Sequence, residues 1–99
     1  MDQQPLKNRV ALITGGGQGI GQGIALALAK RGVRVSVAGR TLSKCQTTCD
    51  LIKARFGIDA LPLACNVENA ADLQQTVDAT LEAFGGINIL INNAVSTSP

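Results

Sequence analysis

The sequence contains no histidine, tyrosine or tryptophan, and Phe56 and Phe84 are its only aromatic side chains. Without imidazole, the commonest metal ligand and the usual general base near neutral pH are both missing. Three cysteines, Cys45, Cys49 and Cys65, are an odd number with no C-x-x-C pair, which argues against a disulfide framework and against a zinc site. No metal is expected. Free thiols accord with a cytoplasmic location. Long apolar runs are also absent: no segment approaches the roughly 18 residues that suggest a membrane span, and the N-terminal MDQQPLKNR lacks a signal peptide's apolar stretch. Nine basic and seven acidic residues are scattered for a net charge of +2, unlike the basic stripe of a nucleic-acid binder. Neither nucleic acid nor membrane is therefore expected as a partner.

What remains is 99 residues, 45% of them hydrophobic, enough for one small domain (1–99) with an aliphatic core. Apolar runs of strand length alternate with stretches of helical period, the pattern of β-α-β units on a parallel sheet. Strands are predicted at 9–14, 33–38, 60–65 and 87–92. The first is continuous and β-branched, as a strand buried on both faces should be. A first helix over 19–31 carries Ile20, Ile24 and Leu28 along one stripe, closed by Gly32. A second runs from an N-cap at Thr41 to Phe56, with Leu42, Cys45, Cys49, Ile52 and Phe56 spaced 3, 4, 3, 4. That spacing makes Cys45 and Cys49 packing residues. A third helix over 70–84 carries Leu73, Val77, Leu81 and Phe84, and Gly85-Gly86 end it. Pro62, which lacks a backbone donor, puts the third strand near a sheet edge. Residues from about 95 to 99 form a polar tail.

Between the first strand and the first helix lies TGGGQGIG, Thr14 to Gly21, five glycines in eight residues. A Walker A loop requires lysine after its last glycine, but Gln22 stands there. The fingerprint G-x-G-x-x-G fails in every frame, since starts at Gly15, Gly17 and Gly19 put Ile20, Gln22 and Ile24 at the third glycine. The pattern that fits is T-G-x-x-x-G-x-G, on Thr14, Gly15, Gly19 and Gly21. A strand ends, the chain turns without Cβ atoms, and a helix begins with unpaired backbone N–H groups and a partial positive charge, an arrangement suited to a pyrophosphate. Gly15 serves the tight turn, Gly19 the approach of the ligand and Gly21 close packing of the helix on the sheet. Gly16 and Gly17 add flexibility beyond what the motif requires. The whole turn, Gln18 and Ile20 included, is the expected pyrophosphate site; a glycine-rich turn with no ligand is the alternative.

Arg40 follows the second strand, 19 residues after Gly21. An acid at that strand end would accept bonds from a free ribose 2′-hydroxyl, whereas arginine pairs with a 2′-phosphate. NADP(H) is therefore favoured over NAD(H), with a solvated surface arginine as the alternative. Thr41 and Ser43 could add hydroxyl donors. An S-adenosylmethionine methyltransferase also uses a glycine-rich first turn but wants an acid where Arg40 stands, which argues against that class.

Together TGGGQGIG, VAGR, CNVENAADL and INILINNA resemble the N-terminal half of the short-chain dehydrogenase/reductase family, over about residues 6 to 95. The resemblance implies that Asn66 and Val67, after the third strand, contact the adenine. It also implies that Asn92 and Asn93, after the fourth, help order the sheet and line the nicotinamide-ribose side, with Asn93 and Ala94 as cofactor-binding positions. Val95 replaces the family's usual glycine, a departure because valine does not readily accept a positive φ. The family's Ser, Tyr and Lys, in a Y-x-x-x-K arrangement, have no counterpart here, and Ser96 and Ser98 match no family catalytic position. No catalytic residue is assigned.

The implied fold is α/β: a Rossmann-type parallel sheet of four strands in the order 3-2-1-4 with three helices, a truncated doubly wound fold. The first two helices would share one face and the third stand alone on the other. INILIN would then be an exposed apolar edge strand, open to self-association. Two functions are expected from this reading. One is the NADP(H)-binding half of an oxidoreductase that moves hydride between nicotinamide and a carbonyl or alcohol carbon. The other is a non-catalytic nucleotide-binding or interaction module that pairs with a related subunit.

Overall fold

A computed structural model describes residues 6–93, with elements in the order β1 (Val10–Thr14), α1 (Gly19–Lys30), β2 (Arg34–Gly39), α2 (Leu42–Phe56), β3 (Ala60–Ala64), α3 (Ala70–Phe84) and β4 (Ile89–Asn92). The strands form one sheet in the order β3-β2-β1-β4, and all neighbours are parallel. Both the order and the parallel pairing agree with the sequence reading. Pro62 does lie in an edge strand, where its missing N–H leaves no gap in a central ladder.

β4 starts two residues later than the apolar run suggests, at Ile89. The cause is Asn88, whose side-chain Oδ1 accepts the Val10 N–H at 2.9 Å while its own N–H donates to the Val10 carbonyl at 2.9 Å. A side chain thus replaces the ladder at the mouth of the β1–β4 pair.

Two apolar layers enclose the sheet. On one face Ile13, Val35 and Val37 pack against Ala25 and Ala29 of α1 and Cys45, Cys49 and Ile52 of α2. On the other Leu12, Ala38 and Cys65 meet Val77 of α3 and Ile87. Cys45 and Cys49 are buried packing residues, as their spacing indicates. Burial pushes the Cys49 thiol up to about 12, with Cys45 beside it adding to the effect, and burial also raises Cys45. Both thiols stay protonated near neutral pH and are poor nucleophiles.

The helix faces correct the sequence reading. α1 turns Gly21, Ala25 and Ala29 to the sheet; Ile24 and Leu28 lie half-buried beside them, and Ile20 is 77% exposed. Small side chains let the helix axis come close to the strands, and their four-residue period is the same as that of the larger stripe. In α2 Leu42 is exposed and Thr48 is buried instead. The Thr48 hydroxyl lies 3.2 Å from the Gly16 carbonyl oxygen and accepts from Gln22 Nε2 at 3.2 Å, which ties α2 to the glycine turn and to α1.

α3 departs furthest. It buries Thr76 and Thr80, and the Thr80 hydroxyl donates to Ser36 Oγ of β2 at 2.8 Å, while Leu73 and Leu81 face outward. A hydrogen bond between two buried hydroxyls, with the Thr76 carbonyl also 2.9 Å from Thr80 Oγ1, stands here in place of an aliphatic contact. Among the described residues β4 is the end strand of the sheet and Leu90 on it is 66% exposed, so there it is an apolar edge strand, as expected. Among the described residues no helix is long and apolar enough to cross a membrane.

Candidate functional site

The C-terminal ends of β1, β2 and β3 open onto one cleft, of about 530 Å³, lined by the glycine turn, Gly39, Arg40, Thr41, Lys44, Cys45, Cys65, Val67 and Asn93. Strand pairing fixes its rim. Thr14 donates through its hydroxyl to Asn92 Oδ1 at 2.9 Å, the Gly15 N–H donates to the Ala38 carbonyl at 2.7 Å, and the Asn93 N–H to the Thr14 carbonyl at 3.1 Å. The turn therefore hangs from three strand ends at once.

Two of its glycines are required by backbone conformation, with φ of +73° at Gly15 and +60° at Gly19. Gly19 has nothing within 4 Å of where a Cβ would stand, so it faces open space in the cleft. Gly21 is required by contact: a Cβ there would overlap the Gly15 carbonyl and stand 2.7 Å from Asn93 Nδ2. Asn93 Nδ2 donates to that same carbonyl at 3.3 Å. The close approach that Gly21 permits is thus to its own turn.

Gly16 and Gly17 also sit close to their neighbours: a Cβ on Gly16 would lie 3.0 Å from Val37 Cγ1 and one on Gly17 would lie 3.1 Å from both the Cys45 backbone nitrogen and Lys44 Cβ, so a side chain at either would press on them. The run of three glycines lets the turn pass between β2 and the start of α2.

The start of α1 fits an anionic ligand. Its N-cap residue, Gln18, makes no side-chain cap hydrogen bond, and the first turn carries no acidic residue. The first amides of a helix have no intrahelical partner, so the positive end of the dipole is left uncompensated by any carboxylate of that turn.

Of the residues singled out from sequence, the cleft brings together Gly15, Gly17, Gln18, Gly19, Ile20, Arg40, Val67 and Asn93. Thr14, Gly16 and Gly21 stand behind this lining as supports. Asn66 is placed differently: its Oδ1 accepts the Glu68 N–H at 3.0 Å and its own N–H donates to Asp72 Oδ2 at 3.0 Å, so it shapes the β3–α3 loop rather than lining the cleft. Thr41 occupies the N-cap position of α2, but its side chain makes no cap bond. Ala94 and Val95 lie outside the described residues.

Two charged residues went unnoticed in the sequence. Lys44 lies on the cleft wall, and its Nζ donates to Gln18 Oε1 at 2.7 Å, joining α2 to the glycine turn. Its signal was a cation four residues after Arg40, one turn into the helix. Glu68 meets Arg40, with Oε2 3.4 Å from Nη2 and the two side chains 42% and 60% exposed. Nothing local could reveal that pair, since 28 residues separate them.

The model of the short chain dehydrogenase family matches residues 9–98, and the chain belongs to that family. It is 42% identical over 89 residues to a peroxisomal 2,4-dienoyl-CoA reductase of Mus musculus, a match over 90% of this chain and 30% of that protein. A short-chain dehydrogenase/reductase homologue of Bacillus subtilis (strain 168), YusS, is 37% identical over 91% of this chain and 83% of its own length. In fold, the chain superposes on the L-sorbose reductase of Gluconobacter frateurii, solved with NADPH and L-sorbose, with a TM-score of 0.91 and 33% identity over 99% of this chain and 37% of that one. The chain thus spans about a third of the length of these two reductases. The family binds nicotinamide dinucleotides.

Proposed function

We propose that the chain is the NADP(H)-binding N-terminal half of a short-chain dehydrogenase/reductase-like oxidoreductase. The observation that carries this reading is the convergence in one cleft of an acid-free helix start, glycines at positive φ and Arg40. The α1 amides hold the pyrophosphate, Arg40 pairs with the 2′-phosphate, Val67 packs on the adenine, and Asn93 lies on the nicotinamide-ribose side. Lys44 adds a second cation near the phosphates. The bound nicotinamide supplies hydride exchange with a carbonyl or alcohol carbon. These 99 residues include no tyrosine, so the family's Tyr is not supplied by them, and their contribution is to hold and orient the cofactor.

A second reading is a non-catalytic nucleotide-binding or interaction module that pairs with a related subunit or with its own copy. The exposed Leu90 on the open β4 edge favours it. Fluorescence titration separates the two. Saturable binding of NADPH, tighter than that of NADH, is expected from the first. Concentration-dependent self-association with no saturable binding of either nucleotide up to high micromolar concentration would leave the second.

A further inference from the structure

We propose that Glu68 is a specificity-determining residue of the cleft, an internal counter-ion that holds Arg40 in the free protein and competes with a 2′-phosphate for it. This rests on the reading of Arg40 as the 2′-phosphate ligand.

The competition follows from how the two loops are built. β2 and β3 are paired up to Gly39 and Ala64, and the Cys65 N–H continues the pairing by donating to the Gly39 carbonyl at 2.8 Å. Arg40 and the β3–α3 loop therefore leave neighbouring strand ends. That loop is pinned along its length. The Glu68 N–H is held by Asn66 Oδ1, the Asn69 N–H by the Asn66 carbonyl at 2.9 Å, and Asn69 Oδ1 caps α3 by accepting from the Ala71 and Asp72 N–H groups at 2.9 and 3.1 Å. Glu68 is thus presented to Arg40 from a fixed backbone rather than from a floppy segment.

Val67, the residue before it, lines the cleft, and so does Arg40. A dianionic phosphate brought to the guanidinium meets the Glu68 carboxylate on the same group, where like charges oppose each other. A free 2′-hydroxyl meets no such repulsion. Glu68 therefore narrows the preference that Arg40 creates, weakening NADP⁺ and leaving NAD⁺ untouched.

Calorimetric titration of the 99-residue chain with NADP⁺ and NAD⁺ tests this. Glu68→Gln and Glu68→Ala are expected to bind NADP⁺ about two- to fivefold more tightly, the range set by the strength of an exposed ion pair. NAD⁺ affinity should not change. In an Arg40→Ala background the gain should shrink, because there is no guanidinium left to release. Equal gains for both nucleotides, or a gain that persists undiminished without Arg40, would overturn the proposal. So would unchanged NADP⁺ affinity in both Glu68 variants; if Arg40→Ala still weakens NADP⁺ in that case, the 2′-phosphate reading stands alone. If Arg40→Ala has no effect either, both fall together.

Discussion

Gly21→Ala is expected to lower the thermal midpoint by more than about 10 °C and to abolish measurable NADP⁺ binding. The added methyl has nowhere to go. It would overlap the carbonyl of Gly15 and crowd Asn93 Nδ2, and the first of these is backbone, held by strand hydrogen bonds on either side. Relief requires α1 to move away from the turn, which separates Ala25 and Ala29 from the sheet and breaks the Asn93–Gly15 contact. An overpacked site of this kind costs about 1–3 kcal/mol or more. The same change two residues on provides the control. Gly23 is exposed, and nothing lies within 4 Å of its would-be Cβ, so Gly23→Ala should stabilise the helix by about 0.5–1 kcal/mol. Circular-dichroism melts of the two variants should therefore move in opposite directions. A Gly21→Ala melt within a degree or two of the parent would show that the turn is not packed as described.

Arg40→Asp is expected to weaken NADP⁺ by about a hundredfold and to leave NAD⁺ within about threefold. Loss of charge-assisted hydrogen bonds to a phosphate accounts for about 1.5–3 kcal/mol, and the new carboxylate would stand beside Glu68 and repel the phosphate further. A carboxylate at this strand end accepts from a free 2′-hydroxyl, so NAD⁺ has a compensating bond. Stability should hardly respond, because the Arg40 side chain is 60% exposed and its ion pair with Glu68 lies on the surface. Equal weakening of both nucleotides in a calorimetric titration would remove the 2′-phosphate assignment.

Much of the fold was legible because strand length, β-branching and glycine punctuation carry it. The order 3-2-1-4 follows from right-handed crossovers once four strands and three helices are recognised. Helix faces were less legible. Along α1, the stripe Ile20, Ile24, Leu28 and the stripe Gly21, Ala25, Ala29 have the same period, and hydrophobicity alone picks the larger side chains. The sheet accepts the smaller ones because they let the backbone approach. In α3, Thr76 and Thr80 look like surface residues until Ser36 of β2 is placed opposite.

The site divides in the same way. The tight turn at Gly15 and the ligand's approach at Gly19 can be read from motif spacing, but their positive φ, and the close fit of Gly16 and Gly17 against Val37 and the start of α2, emerge only from the folded chain. The Asn66 side chain accepts the Glu68 N–H, a turn-shaping bond that asparagine often makes and that the motif spacing does not reveal. Lys44 left a local signal, a cation one turn after Arg40, whereas Glu68 reaches Arg40 across 28 residues and no local pattern encodes that contact.

The central claim is that the β1–α1 turn, together with Arg40, forms the binding site for the nucleotide. Amide chemical-shift mapping of the ¹⁵N-labelled chain during NADP⁺ titration tests it most directly. The account predicts saturable shifts concentrated at Gly15, Gly17 to Gly21, Arg40 and Val67, with β4 and the outer face of α3 little changed. Saturable shifts centred on β4 and α3, or none at the glycine turn up to millimolar NADP⁺, would contradict it.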